Sequence, residues 1–282
     1  MSCASFAPPA APLRVSAARR TRRSASTVTR AADADTVTNN AVAAPTTVST
    51  EDNAVMNAKK KQLMAVAAAS GRGLDATKTQ ASAAATLIAD LVAMNPTDDP
   101  VTSELVNGDW ELIYSDTFLF RNSPFFWSVG TMLGDTADFF YQAHDHQTGM
   151  FGGGIGRVVQ SIDMVNSKVV SDCIVKASLG VPLLGFSPLF SGYGSVITAG
   201  RATAETGTRI AVTTESTTIR QDDTEVIPFL NFLNNNSVPV EDVMRNLGGG
   251  AAPEVFLDVE FVDAEIRISK LQDGSVFVYQ RC

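Results

Sequence analysis

Few residues in this chain are arranged for chemistry. His144-Asp145-His146 places two imidazoles beside a carboxylate, but no third ligand stands nearby, so the triplet predicts a solvated loop rather than a metal centre. Gly152-Gly153-Gly154-Ile155-Gly156-Arg157 lacks the Gly-Lys-Ser/Thr ending of a phosphate loop. It also runs into a strand pattern rather than a helix, so its glycines predict a turn or bulge. No G-x-S-x-G occurs, and two histidines are the whole supply of imidazole bases. Asp263, Glu265 and Arg267 recur at every second position and predict a charged cluster, read as a surface ion pair, at the last hairpin. Cys3, Cys173 and Cys282 form no C-x-x-C and no disulfide framework. The expectation is therefore no catalytic residue, no metal and no cofactor.

What the residues offer instead is apolar binding surface. Phe118, Phe120, Phe125, Phe126 and Trp127 fall within ten residues, interrupted by Pro124. Leu183, Leu184 and Phe186 stand in a second run broken by Pro182 and Pro188. Such density outside a regular strand needs a destination. Two stay open: a plug in the mouth of a barrel, or a surface that dips into lipid. Each large apolar side chain removed from water contributes roughly 1.5–3 kcal/mol, so three at a lipid boundary would suffice for reversible docking.

The elements that would position these groups follow from periodicity. A helix is predicted over residues 54–69, ending at Gly71. A second begins at the capping box Thr77-x-x-Gln80, carries the stripe Ala81, Ala84, Ala85, Ile88, Leu91 and Val92, and stops at Asn95-Pro96. That stripe reads as a face packed on its own domain, or as a seat for a partner enzyme. After Pro100 the period changes to two. Trp110, Leu112 and Tyr114 are expected on one face of the first strand, and Ile210, Val212 and Thr214 on one face of a later one. Val255, Leu257, Val259 and Phe261 alternate with polar neighbours. Asn166-Ser167 and Asp273-Gly274 mark hairpins. The second predicts that Ile266, Ile268 and Lys270 share a face with Phe277, Tyr279 and Arg281. Successive antiparallel strands must lose their edges, and closing the sheet does so completely. The expectation is a mainly β chain, an antiparallel barrel spanning about residues 107–282, preceded by a helical pair over 54–94. Its interior either holds one small apolar ligand or is filled by its own side chains.

Length and charge agree. Apolar residues make up 45% of the 282 and charged residues 18%, with a net charge of −8, which argues against disorder and nucleic-acid binding. Residues 1–32 hold six arginines and no acid, leaving 16 basic against 30 acidic groups in the remainder. This Ser/Ala/Arg-rich leader has no apolar run of secretory length and reads as a chloroplast transit peptide; residues 33–52 have linker composition. No run of about 18 apolar residues predicts a membrane-crossing helix. The acidic body would meet neutral lipid more readily than anionic headgroups.

The stretch KKKQLMAVAAASGRGLDATKTQASAAATLIADLVAMNPTDDPVTSELVNGDWELIYSD and the ending FLDVEFVDAEIRISKLQDGSVFVYQR resemble the plastid lipid-associated protein family, or fibrillins. The most specific matches are Arg72-Gly73-Leu74, Asn95-Pro96-Thr97, Gly108-x-Trp110 and Ser123-Pro124-Phe125-Phe126. The resemblance spans roughly Ala54 to Cys282. It implies a lipocalin-like barrel in a plastid protein of thylakoid or plastoglobule surfaces that binds or organises prenyl lipids: quinones, tocopherols or carotenoids. Gly108-x-Trp110 also resembles the first lipocalin strand, where an Arg from the last strand lies over the Trp. Arg281 is the candidate for that contact. Trp110, Leu112, Tyr114, Ile210, Val212, Thr214, Phe277, Tyr279 and Arg281 are the expected interior lining. The rival readings are a small barrel isomerase or cyclase using Tyr114 and Tyr279, and a scaffold for a prenyl-lipid biosynthetic enzyme.

Overall fold

The computed structural model describes residues 50–149, 153–180, 188–221, 237–239 and 253–282. Helix α1 (Thr50–Ala69) begins a turn before the sequence pattern predicts, with Glu51 and Asp52 in its first turn, where carboxylates favour a helix N-terminus. Helix α2 (Lys78–Ala93) starts at the expected capping box: Thr77 accepts from the Gln80 amide, and the Gln80 side chain accepts from the Thr77 amide. Lys59 of α1 meets Asp90 of α2 at 2.6 Å.

Nine strands follow among the described residues: β1 (Gly108–Ser115), β2 (Gly154–Asp163), β3 (Lys168–Gly180), β4 (Pro188–Ala204), β5 (Arg209–Gln221), β6 (Ser237–Pro239), β7 (Glu254–Val262), β8 (Ile266–Leu271) and β9 (Val276–Arg281). The order β4-β3-β2-β1-β9-β8-β7-β5 is antiparallel throughout, and β4 pairs back onto β5. Eight strands thus close a barrel, with the short β6 added beside β5. Helices α3 (Pro124–Leu133) and α4 (Ala137–Gly149) interrupt the strands between β1 and β2.

Two hydrophobic cores lie back to back through the sheet. Inside are Trp110, Leu112, Val158, Ile162, Val169, Ile210, Val212, Leu257, Val259, Phe277 and Tyr279. Outside, α1 and α2 lay Met56, Leu63, Ala84, Ile88 and Leu91 over Tyr114, Phe261, Ile266, Ile268 and Val278. The helical pair covers a flank, burying Ala84, Ile88 and Leu91 of the α2 stripe and leaving Ala81 and Ala85 exposed. Ile88 and Leu91 are buried there and offer no free seat for a partner.

Three sequence expectations about facing fail here, each through one residue. The β8–β9 loop holds three residues, Gln272-Asp273-Gly274, with Gly274 at φ 91° and the Leu271 amide bonded to the Ser275 carbonyl. A two-residue turn on Asp273-Gly274 would pair 268 with 279. The observed register pairs Ile268 with Val278 and Arg267 with Tyr279, reversing the face of β8. Arg267 and Ser269, not Ile266 and Ile268, therefore share the interior with Phe277 and Tyr279. In β1, Leu112 opposes Tyr279 but Tyr114 opposes Val278, so Ile113 is an extra residue. This bulge turns Tyr114 out of the barrel and under the helices. In β7, Val259 opposes Ser269 and Phe261 opposes Ile268; Glu260 is the extra residue, and Phe261 also turns outward.

The motifs flanking the helices are clamps. Arg72 donates to the Gly156 and Ile155 carbonyls at 2.7 and 2.8 Å, tying the α1–α2 link to β2. Asn95 accepts from the Val262 amide, and the Thr97 hydroxyl donates to the Val262 carbonyl at 2.9 Å, holding the end of β7. Lys60 pairs with both Asp263 and Glu265, whose turn precedes β8. Arg267 lies on the opposite side of the sheet, so the expected cluster of three is a pair of acids around a lysine. Period two misled because Asp263 and Glu265 belong to the turn, and alternation begins only at Ile266.

Candidate ligand site in the barrel

The base of the barrel is sealed by the G-x-W strand. Trp110 is fully buried and donates its indole N–H to the Val106 carbonyl at 2.9 Å. Arg281, opposite Trp110 on β9, sets its guanidinium 4.1 Å from the ring centroid, the contact expected from the sequence. It also donates to the carbonyls of Asn107, Leu105 and Ala264. Gly108 makes room: at φ 121° it adopts a conformation that disfavours a side chain, and a Cβ there would lie 2.7 Å from Arg281 Nη1.

Above this floor sits a polar layer that the sequence did not announce. Arg267 is 0% exposed, its guanidinium 4.1 Å from the Tyr279 ring centroid and 5.3 Å from that of Trp110. It donates to Gln160 Oε1 on β2. Burial pushes the Arg267 cation down to about 10 and the Tyr279 hydroxyl up to about 12. The misjudged hairpin register hid this residue; a three-residue loop with glycine last was the available signal.

Towards the mouth, the aromatic segment becomes a plug. A 3₁₀ turn over Leu119–Asn122 leads into α3, with Pro124 at its first position, where a missing N–H costs nothing. Leu119 and Trp127 join the interior core. Hydroxyls and amides make the seams. Asn122 accepts from the Tyr279 hydroxyl and donates to Ser171 at 3.2 Å. Ser123 meets Thr198 at 3.0 Å, and Ser128 meets Thr214 at 2.8 Å. Thr214, expected to orient a ligand oxygen, thus holds the plug, and also donates to the Pro124 carbonyl.

Of the residues read as lipid-docking, Phe120, Phe126 and Trp127 are buried and Phe118 and Phe125 half-buried. Leu183, Leu184 and Phe186 lie outside the described residues. The outward aromatic of this cover is Phe139 on α4, 80% exposed, with Met132 of α3 also exposed. Three consecutive aromatics, Phe139 to Tyr141, cannot all face one side of a helix, and that spacing was the overlooked signal. Trp110, Leu112, Ile210, Val212, Phe277 and Tyr279 do line one interior, with Arg281 at its floor; Tyr114 does not.

Between the cover and the last hairpin lies a cleft of about 470 Å³, lined in part by Arg121, Trp127, Tyr141, Leu271 and Asp273. Arg121 pairs with Asp273 across it and stacks 4.5 Å from the Tyr141 centroid. His144 is not in a loop but on α4, against Phe120 and Phe126 at 4.6 and 4.8 Å. Among the described residues no three His, Cys, Asp or Glu side chains group as a metal site. Nor is any helix among them long and apolar enough to cross a membrane.

Burial pushes His144 below its ordinary 6.5, with Asp145 opposing. A base with a depressed folded value gives its full stability above the unfolded value and loses it as pH falls through the folded one. Acidification below about pH 6.5 should therefore loosen α3–α4 before the barrel. Hydrogen exchange of the two helices at pH 7 and pH 5 checks this; a His144→Leu chain should show no such pH dependence.

A closed eight-stranded antiparallel barrel with a largely apolar interior, a cation-capped tryptophan floor and a helical plug defines a lipocalin-like fold. The PAP_fibrillin family model matches residues 56–280, and the chain belongs to that family. No curated protein and no solved structure gives a significant match.

Proposed function

We propose that this chain is a non-enzymatic plastid protein that binds or organises prenyl lipids of the quinone, tocopherol or carotenoid class at thylakoid or plastoglobule surfaces. The observation that carries the reading is the apolar wall of Leu112, Val158, Ile210, Val212, Leu257 and Phe277, interrupted by Arg267, Gln160 and Ser269, closed at the floor and covered at the mouth by a separate element. Family membership supports lipid association, and the arginine-rich, acid-free leader supports import into chloroplasts. A prenyl tail gains about 0.8 kcal/mol per buried CH₂, so a few isoprene units outweigh one head-group hydrogen bond of roughly 0.5–1.5 kcal/mol. For a tail to enter, residues 119–133 must leave the mouth. Their polar seams to Thr198, Thr214 and Tyr279 exchange readily for water, whereas Leu119 and Trp127 would be replaced by the ligand's own hydrocarbon. Phe139 and Met132 mark where the cover meets lipid.

Incubation of the protein with plastid lipid extract should copurify prenyl lipid, and flotation with neutral-lipid droplets should recover it. Phe139→Asp should reduce flotation several-fold without altering copurification. Recovery of no lipid together with no flotation overturns both carriage and docking. The enzyme reading loses its pair of tyrosines, since Tyr114 and Tyr279 stand on opposite faces of the sheet.

A further inference from the structure

The layer around Arg267 holds an unusual excess of donors. Arg267, Gln160 and Ser269 are each 0% exposed. Among the described residues, Arg267 Nε and Nη1, Gln160 Nε2 and Ser269 Oγ have no hydrogen-bond partner. Every nitrogen in that set is a donor, and the hydroxyl can be one. Arg267 meets no carboxylate among the described residues: Asp263 and Glu265 are engaged by Lys60 on the other side of the sheet. The second cation of the interior, Arg281, stands across the Trp110 ring and adds positive potential. Buried guanidinium groups are normally paired, because removing one partner leaves several kcal/mol of desolvation uncompensated. The geometry also orders the donors. Arg267 lies beside Tyr279 in the layer above the floor; Ser269, beside Phe277, is one layer nearer the mouth; Leu271, next along β8, lines the cleft. Gln160 faces this column from β2, opposite Trp110.

We propose that the Arg267–Gln160–Ser269 layer is the head-group site of an amphiphile with an anionic oxygen head, a long-chain carboxylate, whose tail runs along Phe277 and Leu271 to the mouth. The inference rests on the reading of the barrel as a lipid binder and extends it beyond neutral prenyl lipids: the interior selects an ionised carboxylate over a neutral head of the same chain length. A carboxylate oxygen accepts from one of the two unpartnered Arg267 nitrogens, Nε or Nη1, and Gln160 Nε2 and Ser269 Oγ complete the shell. The tail takes the space of Leu119 and Trp127 when the plug swings out. Tyr279 couples the two events, because its ring stacks on Arg267 while its hydroxyl bonds Asn122 of the plug.

The test is calorimetric titration of the full chain with dodecanoate and with dodecan-1-ol at pH 8. Charge-assisted bonds of this kind should make dodecanoate bind about 10–100-fold more tightly. Arg267→Met should abolish the preference, bringing dodecanoate down to the affinity that the alcohol shows on the same variant. Equal affinities on the wild-type chain, or a preference that survives Arg267→Met, overturn the assignment. Should Arg267→Met fail to fold, the carboxyl ¹³C resonance of labelled dodecanoate on the wild-type chain decides. A bound signal that stays ionised below the pH at which the free ligand protonates supports the site, and one that titrates as in bulk overturns it. Binding of dodecan-1-ol without carboxylate preference removes the head-group site but leaves the barrel a lipid binder. Failure of both probes overturns the site whatever else binds, and if plastid extract also yields no lipid the function proposed above falls with it.

Discussion

Asp263→Ala lowers the free energy of unfolding by about 3–5 kcal/mol, the cost of stranding a buried partner. Lys60 is buried on α1 and its ammonium reaches Asp263. Burial alone would pull the Lys60 cation below its ordinary value, but hydrogen bonds and charge from Asp263 and Glu265 together raise it above. The other Asp263 oxygen accepts from the amides of Glu265 and Ile266 at 2.8 Å each, shaping the turn into β8. Alanine removes the charge and the turn acceptor together, and Glu265, largely exposed, is left as the lysine's remaining partner. Asp263→Asn keeps the turn acceptor and should cost less. Lys60→Met combined with Asp263→Asn should recover most of the loss, since an absent pair is cheaper than half of one. Urea unfolding with an unchanged m-value is the measurement. A loss below about 1 kcal/mol for alanine would place this pair among weak surface pairs.

Trp110→Ala costs a similar 3–5 kcal/mol, the range for emptying a buried aromatic. The indole is the floor of the interior. Its removal opens a void beneath Leu112 and Tyr279, orphans the Val106 carbonyl, and takes the ring from under Arg281 and beside Arg267. Trp110→Phe retains an aromatic face and should cost less than half as much, losing the hydrogen bond and the larger ring. The same denaturation series checks both. In the alanine chain, near-UV dichroism should also lose intensity, because one of the two tryptophans is gone from a rigid site.

The regular parts of this molecule were legible in the sequence. Capping at Thr77, the strand beginning at Gly108, the hairpins and the need to close the sheet all follow from local chemistry. The resemblance at both ends of the chain agrees with the family match over residues 56–280. What escaped were single-residue events with long reach. Ile113 and Glu260 are ordinary residues whose insertion into a ladder leaves no mark on composition, yet they send Tyr114 and Phe261 to the other core. One additional loop residue, Gln272, hid Arg267 behind an expectation of surface charge. Short-range patterns decide which residues form a strand, while register decides what each strand looks at, and register depends on pairings across the whole sheet. The plug was legible only as an alternative, since aromatic density says that a segment must be covered but not by what.

The two extra residues have a further outcome. Before the kinks, Leu112 and Val259 belong to the interior core; just beyond them, Tyr114 and Phe261 turn to the helices, and on β7 Val262 returns to the interior. Changes at Leu112 or Val259 alter the interior core while the seat of α1 and α2 stays untouched, so the two cores are free to evolve on separate residues of one strand.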